Sequence, residues 1–306
     1  MLYIWLILGF VCLIYGGNAL VEGSVKLARK MGVSPLLIGL TLVGFGTSTP
    51  ELVTSLLAVF KNSEGIAVGN VVGSNIANIL LVLGVAAVIS PVQVDLKAFK
   101  RDGSFLVLST IGLIVAVLLG RIGFGMGAVL VGLLIGYVVY SYLSDRKEQQ
   151  KSSGSEPPTG RLWLALLQTI GGIALTLLGA KLLVDSAIEL AKAWGISESV
   201  IGLTIVAVGT SLPELITSIM SAIHKQNDVA FGNVVGSNIY NALFILGLTA
   251  LFMPVVVPEK MSLDVWIMAA ATLALIGVAL LKKQFSRPIG ILFLLGYAGY
   301  VWGLLV

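Results

Sequence analysis

IGLTLVGFGTSTPELVTS, residues 38–55, returns as IGLTIVAVGTSLPELITS at 201–218, with 13 of the 18 positions identical. The offset is 163 residues. At that same offset GNVVGSNIAN (69–78) returns as GNVVGSNIYN (232–241), with 9 of 10 positions identical, and Glu22 pairs with Asp185 and Gly32 with Gly195. One unbroken offset across three apolar segments and the loops between them marks a duplicated unit spanning about half the chain.

The duplication lies in a very apolar chain. Of 306 residues, 57% are hydrophobic and 11% charged, with a mean hydropathy of +1.02; soluble domains run nearer 45–50% apolar and about 25% charged. That composition excludes a soluble enzyme, a nucleic-acid binder or a secreted module and defines an all-α membrane protein. Its partner is the lipid bilayer, and no obligatory protein partner is evident. The single cysteine, Cys12, rules out a disulfide within one chain, and with only one histidine, His224, a zinc, haem or iron–sulfur centre lacks ligands. The N-terminal run has no basic n-region and reads as a spanning helix, not a signal peptide.

About 20 apolar residues cross the hydrocarbon core. Ten segments meet that need: 2–26, 35–60, 66–90, 103–120, 123–143, 162–185, 198–222, 229–254, 264–281 and 288–305. The polar stretch 144–161, SDRKEQQKSSGSEPPTGR, is the linker between an N-terminal five-helix repeat (1–143) and a C-terminal one (162–306). Fourteen of the 19 basic residues fall on the face that carries this linker. The positive-inside rule therefore puts 144–161 in the cytoplasm and both termini outside. Lys181, inside a span, is expected to snorkel to the outer interface, and His224 to sit solvated in a short cytoplasmic loop. Because five is odd, the second copy enters from the opposite side, giving inverted repeats. That arrangement is common in secondary transporters, with the ion site at the midplane where the copies meet.

The repeated motif supplies the chemistry. Pro50 and Pro213 cannot donate to the carbonyls of Gly46 and Gly209, so each second helix is kinked and carries freed backbone oxygens. Such backbone is tolerated at membrane depth only inside the bundle or beside a watery cavity. The hydroxyls of Thr47, Ser48, Thr210 and Ser211 join those carbonyls, and Glu51 and Glu214 project into the break. The other 13 acids are expected in loops or towards helix ends. A carboxylate at the bilayer centre costs several kcal/mol and marks function by default. On the third helix of each half, Ser74 and Asn78, like Ser237 and Asn241, are spaced i,i+4 and share a face near the midplane. Gly69, Gly73, Gly232 and Gly236 form GxxxG pairs for close packing, and Asn70 and Asn233 are expected to tie helices together. A set made wholly of oxygens suits hard cations: Ca²⁺ takes 6–8 of them, and two carboxylates match its charge. Na⁺ can use the same oxygens.

These motifs resemble those of the calcium/cation antiporter superfamily, most closely its prokaryotic sodium/calcium exchanger branch, over essentially the whole chain. The resemblance implies a secondary antiporter, not an enzyme, that moves Ca²⁺ against Na⁺ across the plasma membrane by alternating access, without an organic cofactor. It implies coordination by Glu51 and Glu214, assisted by Thr47, Ser48, Thr210, Ser211, Ser74, Asn78, Ser237 and Asn241, with backbone carbonyls from Gly44 and Ala207. It also implies that the first helix of each half slides across the rest of the bundle. Some members carry aspartate where Asn241 stands, so this chain is the more symmetric. Exchange of Ca²⁺ against H⁺ on the same scaffold, and a cation channel, are the alternative readings.

Overall fold

The computed structural model describes residues 2–152, 161–194, 207–258 and 261–305. Among them, eight helices are long and apolar enough to cross a membrane. There are nine if Pro35–Thr47 and Thr49–Phe60, bent by 43° to one another, form one span. The expected span 198–222 lies partly outside the described residues; its described part is Ala207–Thr210 followed by Leu212–Ile223.

Four helices depart from the expected bounds by five residues or more; Leu2–Met31 and Leu162–Ala193 run on past the expected ends at 26 and 185. The fourth span begins at Leu96, not 103, because the Asp95 side chain accepts from the Lys97 amide and caps it. The helix expected at 123–143 runs Phe124–Ser152, so the first half of the linker is helical. Its residues Arg146, Lys147, Glu148, Gln149 and Gln150 are good helix formers. Asp145, on that extension, is buried and accepts from the backbone N–H (2.7 Å) and hydroxyl (2.8 Å) of Ser34, which itself caps the helix beginning at Pro35. Residues 153–160 of the linker lie outside the described residues.

The duplication is written into the backbone. Asn62 and Lys225, 163 residues apart, both have positive φ (54° and 55°), as do Gly120 and Lys283 (69° and 57°). Strand β1 (Val92–Gln93) pairs antiparallel with β4 (Gln284–Phe285), and β2 (Arg121–Ile122) with β3 (Val255–Val256). Adding 163 turns β1 into β3 and β2 into β4, so each ladder is the image of the other. The two ladders stand at opposite ends of the helix Leu96–Leu118, about 34 Å apart at 1.5 Å per residue.

The first helices of the two halves, Leu2–Met31 and Leu162–Ala193, pack on each other through small residues. Gly9, Gly16 and Gly23 recur every seven residues on one helix, opposite Thr169, Gly172, Thr176 and Gly179 on the other. Lipid tails are as apolar as leucine, so close backbone approach and dispersion hold such a pair. A Cβ on Gly16 would lie 2.6 Å from the Thr176 amide nitrogen and 2.7 Å from its hydroxyl. The central helices are better buried: 83% of the best apolar window of Asn227–Phe252 is inside the protein, against 39% for the first helix. They carry the core, including Ile76, Ile79, Val82, Val234, Ile239 and Leu243.

Gly16→Leu is expected to force the two first helices apart. Overpacking of this kind typically costs about 1–3 kcal/mol, which should appear as a lower thermal unfolding midpoint of the detergent-purified protein. An unchanged midpoint would show that the contact is not tight.

Candidate ion-binding site

Each second helix is broken at the serine of its G-T-S-x-P-E motif. Ser48 (φ −81°, ψ 10°) and Ser211 (φ −87°, ψ 5°) leave the helical conformation, and Pro50 and Pro213 occupy the first turn of the helices that resume, Thr49–Phe60 and Leu212–Ile223. Proline is at home there, since first-turn amides have no intrahelical acceptor. Glu51 and Glu214 follow immediately, within the same first turns, where the dipoles favour a negative side chain. Both are completely buried.

The structure brings the two motifs together. Glu51 and Glu214 are near enough to interact electrostatically, with Ser211 and Ser74 beside Glu51, and Ser48, Thr47 and Ser237 beside Glu214. The Ser48 hydroxyl donates to Glu214 Oε1 at 3.0 Å, across the halves. The Ser237 hydroxyl reaches the Gly44 carbonyl at 3.4 Å, and the Thr47 hydroxyl lies 3.1 Å from Asn233 Oδ1. Thr210 is half-buried. Ala207 opens the short helix Ala207–Thr210, and only its backbone is described.

The third helices carry the other expected residues. Asn78 and Asn241, both fully buried, each begin a π-turn, Asn78–Val82 and Asn241–Ile245. Such widened turns are rare and cluster at functional positions; nothing in the apolar pattern announced them. Several buried oxygens have no hydrogen-bond partner among the described residues: Glu51 Oε1 and Oε2, Glu214 Oε2 and Ser211 Oγ, and, on the π-turns packed against the resumed second helices of the opposite halves, Asn78 Oδ1 and Asn241 Oδ1. Buried polar atoms are nearly always paired, so a cluster of unpaired oxygens with two carboxylates is a set that a cation would satisfy. No group of three or more His, Cys, Asp and Glu occurs among the described residues, which leaves the two glutamates to be completed by neutral oxygens.

Two asparagines brace the helices beyond the breaks. Asn70 Nδ2 donates to the Glu51 carbonyl (3.0 Å) and the Ser55 hydroxyl (2.9 Å), and Asn233 Nδ2 does the same for the Glu214 carbonyl (3.1 Å) and Ser218 (3.0 Å). Gly232 and Gly236 let the backbone of Leu36 and Leu40 come close; the counterpart for Gly69 and Gly73, residues 199–203, lies outside the described residues. Three features go beyond the sequence expectation. Asp102 is buried in the helix Leu96–Leu118, not in a loop, where Arg101 donates to both its oxygens (2.7 and 2.9 Å). His224 Nε2 lies 2.7 Å from Asn18 Oδ1 of the first helix instead of standing free. Asn75 and Asn238, adjacent to the expected serines, are buried between the third helices; an amide inside an otherwise apolar run was the signal for them.

An integral membrane protein with broken helices meeting at paired buried carboxylates belongs to the class of ion transporters, and similarity to known proteins narrows that class. The profile of the sodium/calcium exchanger protein family matches residues 1–143 and 164–306. The chain belongs to that family, a family of antiporters. A putative antiporter CaxA of Alkalimonas amylolytica is 35% identical over 97% of this chain and 96% of its own length. The sodium/calcium exchanger MaX1 of Methanosarcina acetivorans is 33% identical over 98% of this chain and 97% of its own. The structure of the sodium-calcium exchanger NCX_Mj soaked with zero Na⁺ and Ca²⁺ superposes with a TM-score of 0.85, at 34% identity, covering 98% of this chain and 97% of that one.

Asn233→Leu removes the bonds to the Glu214 carbonyl and the Ser218 hydroxyl at a fully buried position, whereas Asn70→Leu removes their counterparts where Asn70 is only half-buried and water can take them over. Each stranded buried group costs about 1–3 kcal/mol. Asn233→Leu is therefore expected to lower the unfolding midpoint more than Asn70→Leu, by thermal denaturation of both proteins side by side.

Proposed function

We propose that the protein exports Ca²⁺ across the plasma membrane against entering Na⁺ by alternating access. Ten helices form two inverted five-helix repeats, with both termini outside and the 144–161 segment in the cytoplasm. The exchange of the two β-ladders under the 163-residue offset, at opposite ends of the helix Leu96–Leu118, supports the inversion. The ions bind at the midplane to Glu51 and Glu214. Neutral oxygens of Thr47, Ser48, Ser74, Asn78, Thr210, Ser211, Ser237 and Asn241 and the backbone carbonyls of Gly44 and Ala207 complete the site. The observation that carries this reading is the burial of two carboxylates from matching repeat positions beside unpaired oxygens.

The charge balance follows. Two carboxylates neutralise one Ca²⁺, or two Na⁺, so either load crosses the low-dielectric slab without a large uncompensated charge. Stripped of a cation, two ionised carboxylates at this separation repel, which opposes movement of the empty carrier and couples the two fluxes. A third Na⁺ per cycle would carry one net positive charge, and about 100 mV acting on it supplies about 2.3 kcal/mol.

Vesicles preloaded with Na⁺ should take up ⁴⁵Ca²⁺, and vesicles given only a pH gradient should not; uptake driven by the pH gradient alone would reassign the coupling ion to H⁺. Uptake without any ion on the opposite side would indicate a channel. Glu51→Gln and Glu214→Gln should each abolish Na⁺-driven uptake while the protein still inserts and elutes as a folded species, and near-normal uptake in either would remove the proposed site. With a third Na⁺ per cycle, an inside-negative potential clamped with valinomycin and K⁺ speeds Na⁺-driven Ca²⁺ efflux. Flux independent of potential indicates an electroneutral exchange.

A further inference from the structure

The third helices cross through four buried asparagines, of which the proposed site uses two. Asn78 Nδ2 donates to Asn238 Oδ1 at 3.2 Å. Asn75 Nδ2 reaches the Asn238 backbone carbonyl at 3.4 Å and Met268 Sδ at 3.7 Å. None of the four is more than 5% exposed: Asn75 4%, Asn78 0%, Asn238 1%, Asn241 0%. An asparagine side chain has two unlike ends. Its oxygen can face a cation, while its NH₂ group presents only donors and repels one. With its NH₂ engaged by Asn238, Asn78 has its oxygen left over, and that oxygen has no hydrogen-bond partner among the described residues.

The repeat offset makes Asn241–Asn75 the image of Asn78–Asn238. In that image pair the corresponding atoms, Asn241 Nδ2 and Asn75 Oδ1, are both unpartnered. Halves alike in sequence thus differ in bonding: of two equivalent amide–amide bonds, one is made. We propose that Asn238 is a positioning residue for ion exchange, turning the amide of Asn78 so that its oxygen faces the transported cation. Asn238 itself does not touch the ion. The proposal rests on the ion-site reading above.

The test is Ca²⁺ binding to the purified full-length protein, titrated calorimetrically with Ca²⁺ in Na⁺-free buffer. Asn238→Ala is expected to weaken binding roughly five- to tenfold, the effect of one neutral hydrogen bond. A residue that acts through Asn78 loses its effect once Asn78 is gone. The penalty should therefore vanish in an Asn78→Ala background and persist in an Asn241→Ala background. Asn75→Ala, which removes no bond to Asn241, should show no coupling to Asn241. A purely structural role would lower affinity equally in both backgrounds, and that result, or no loss in any, overturns the proposal. If Asn238→Ala does not fold, Asn238→Asp keeps the volume and an acceptor for the Asn78 N–H. Its affinity must then depend on whether residue 78 is Asn or Ala, and independence overturns the proposal equally. A parent protein that binds no Ca²⁺ overturns the functional reading and this inference with it, whereas additive penalties overturn the positioning role alone.

Discussion

Two carboxylates buried side by side in an apolar slab repel each other and lack the water that would stabilise them. Much of the chain is arranged around that constraint. Glu51 and Glu214 can occupy one place because each sits in the first turn of a helix restarted after a serine–proline break, with partial positive charge from the exposed amides behind it. Breaking a helix inside a membrane strands backbone groups, and those must be met from within the protein. Asn70 and Asn233 brace the helices that resume, clamping the carbonyls of the two glutamates to the third helices.

The clamp then dictates the rest of the packing. The third helices have to run through the centre, so they are the most buried spans and carry small residues where the second helices lean in, as at Gly232 and Gly236. The first helices of the two halves meet in a different way. Leu2–Met31 and Leu162–Ala193 meet along glycines and threonines, a smooth contact without side-chain ion pairs across its middle. Gln168 of the second meets Lys26 and Glu22 of the first, and Asn18 of the first meets His224 at the end of Leu212–Ile223.

Symmetry of sequence does not make the site symmetric. Ser48 donates to Glu214, while both oxygens of Glu51 and the hydroxyl of Ser211 have no hydrogen-bond partner among the described residues. The same inequality appears in the asparagines. A transporter built from two equal halves passes between states by exchanging the environments of its halves, so unequal bonding of equal residues is what one state of such a cycle looks like.

Much of this was legible in the residues. The offset of 163, the apolar spans and the G-T-S-x-P-E motif pointed to a duplicated helical membrane protein with Glu51 and Glu214 at its centre, because proline, glycine and a membrane-embedded acid each have a local physical meaning that needs no tertiary context. Helix ends were less legible. Asp95 capping extended one helix backward, and the Asp145–Ser34 contact accompanies another that continues into what composition marked as linker. Only the folded chain decided which polar groups pair. That Asn78 takes Asn238 while Asn241 has no partner among the described residues, and that His224 meets Asn18, follow from where helices distant in sequence cross. A hydrogen bond between residues 160 or 206 positions apart leaves no periodic trace, since its geometry belongs to the packing and not to either segment alone.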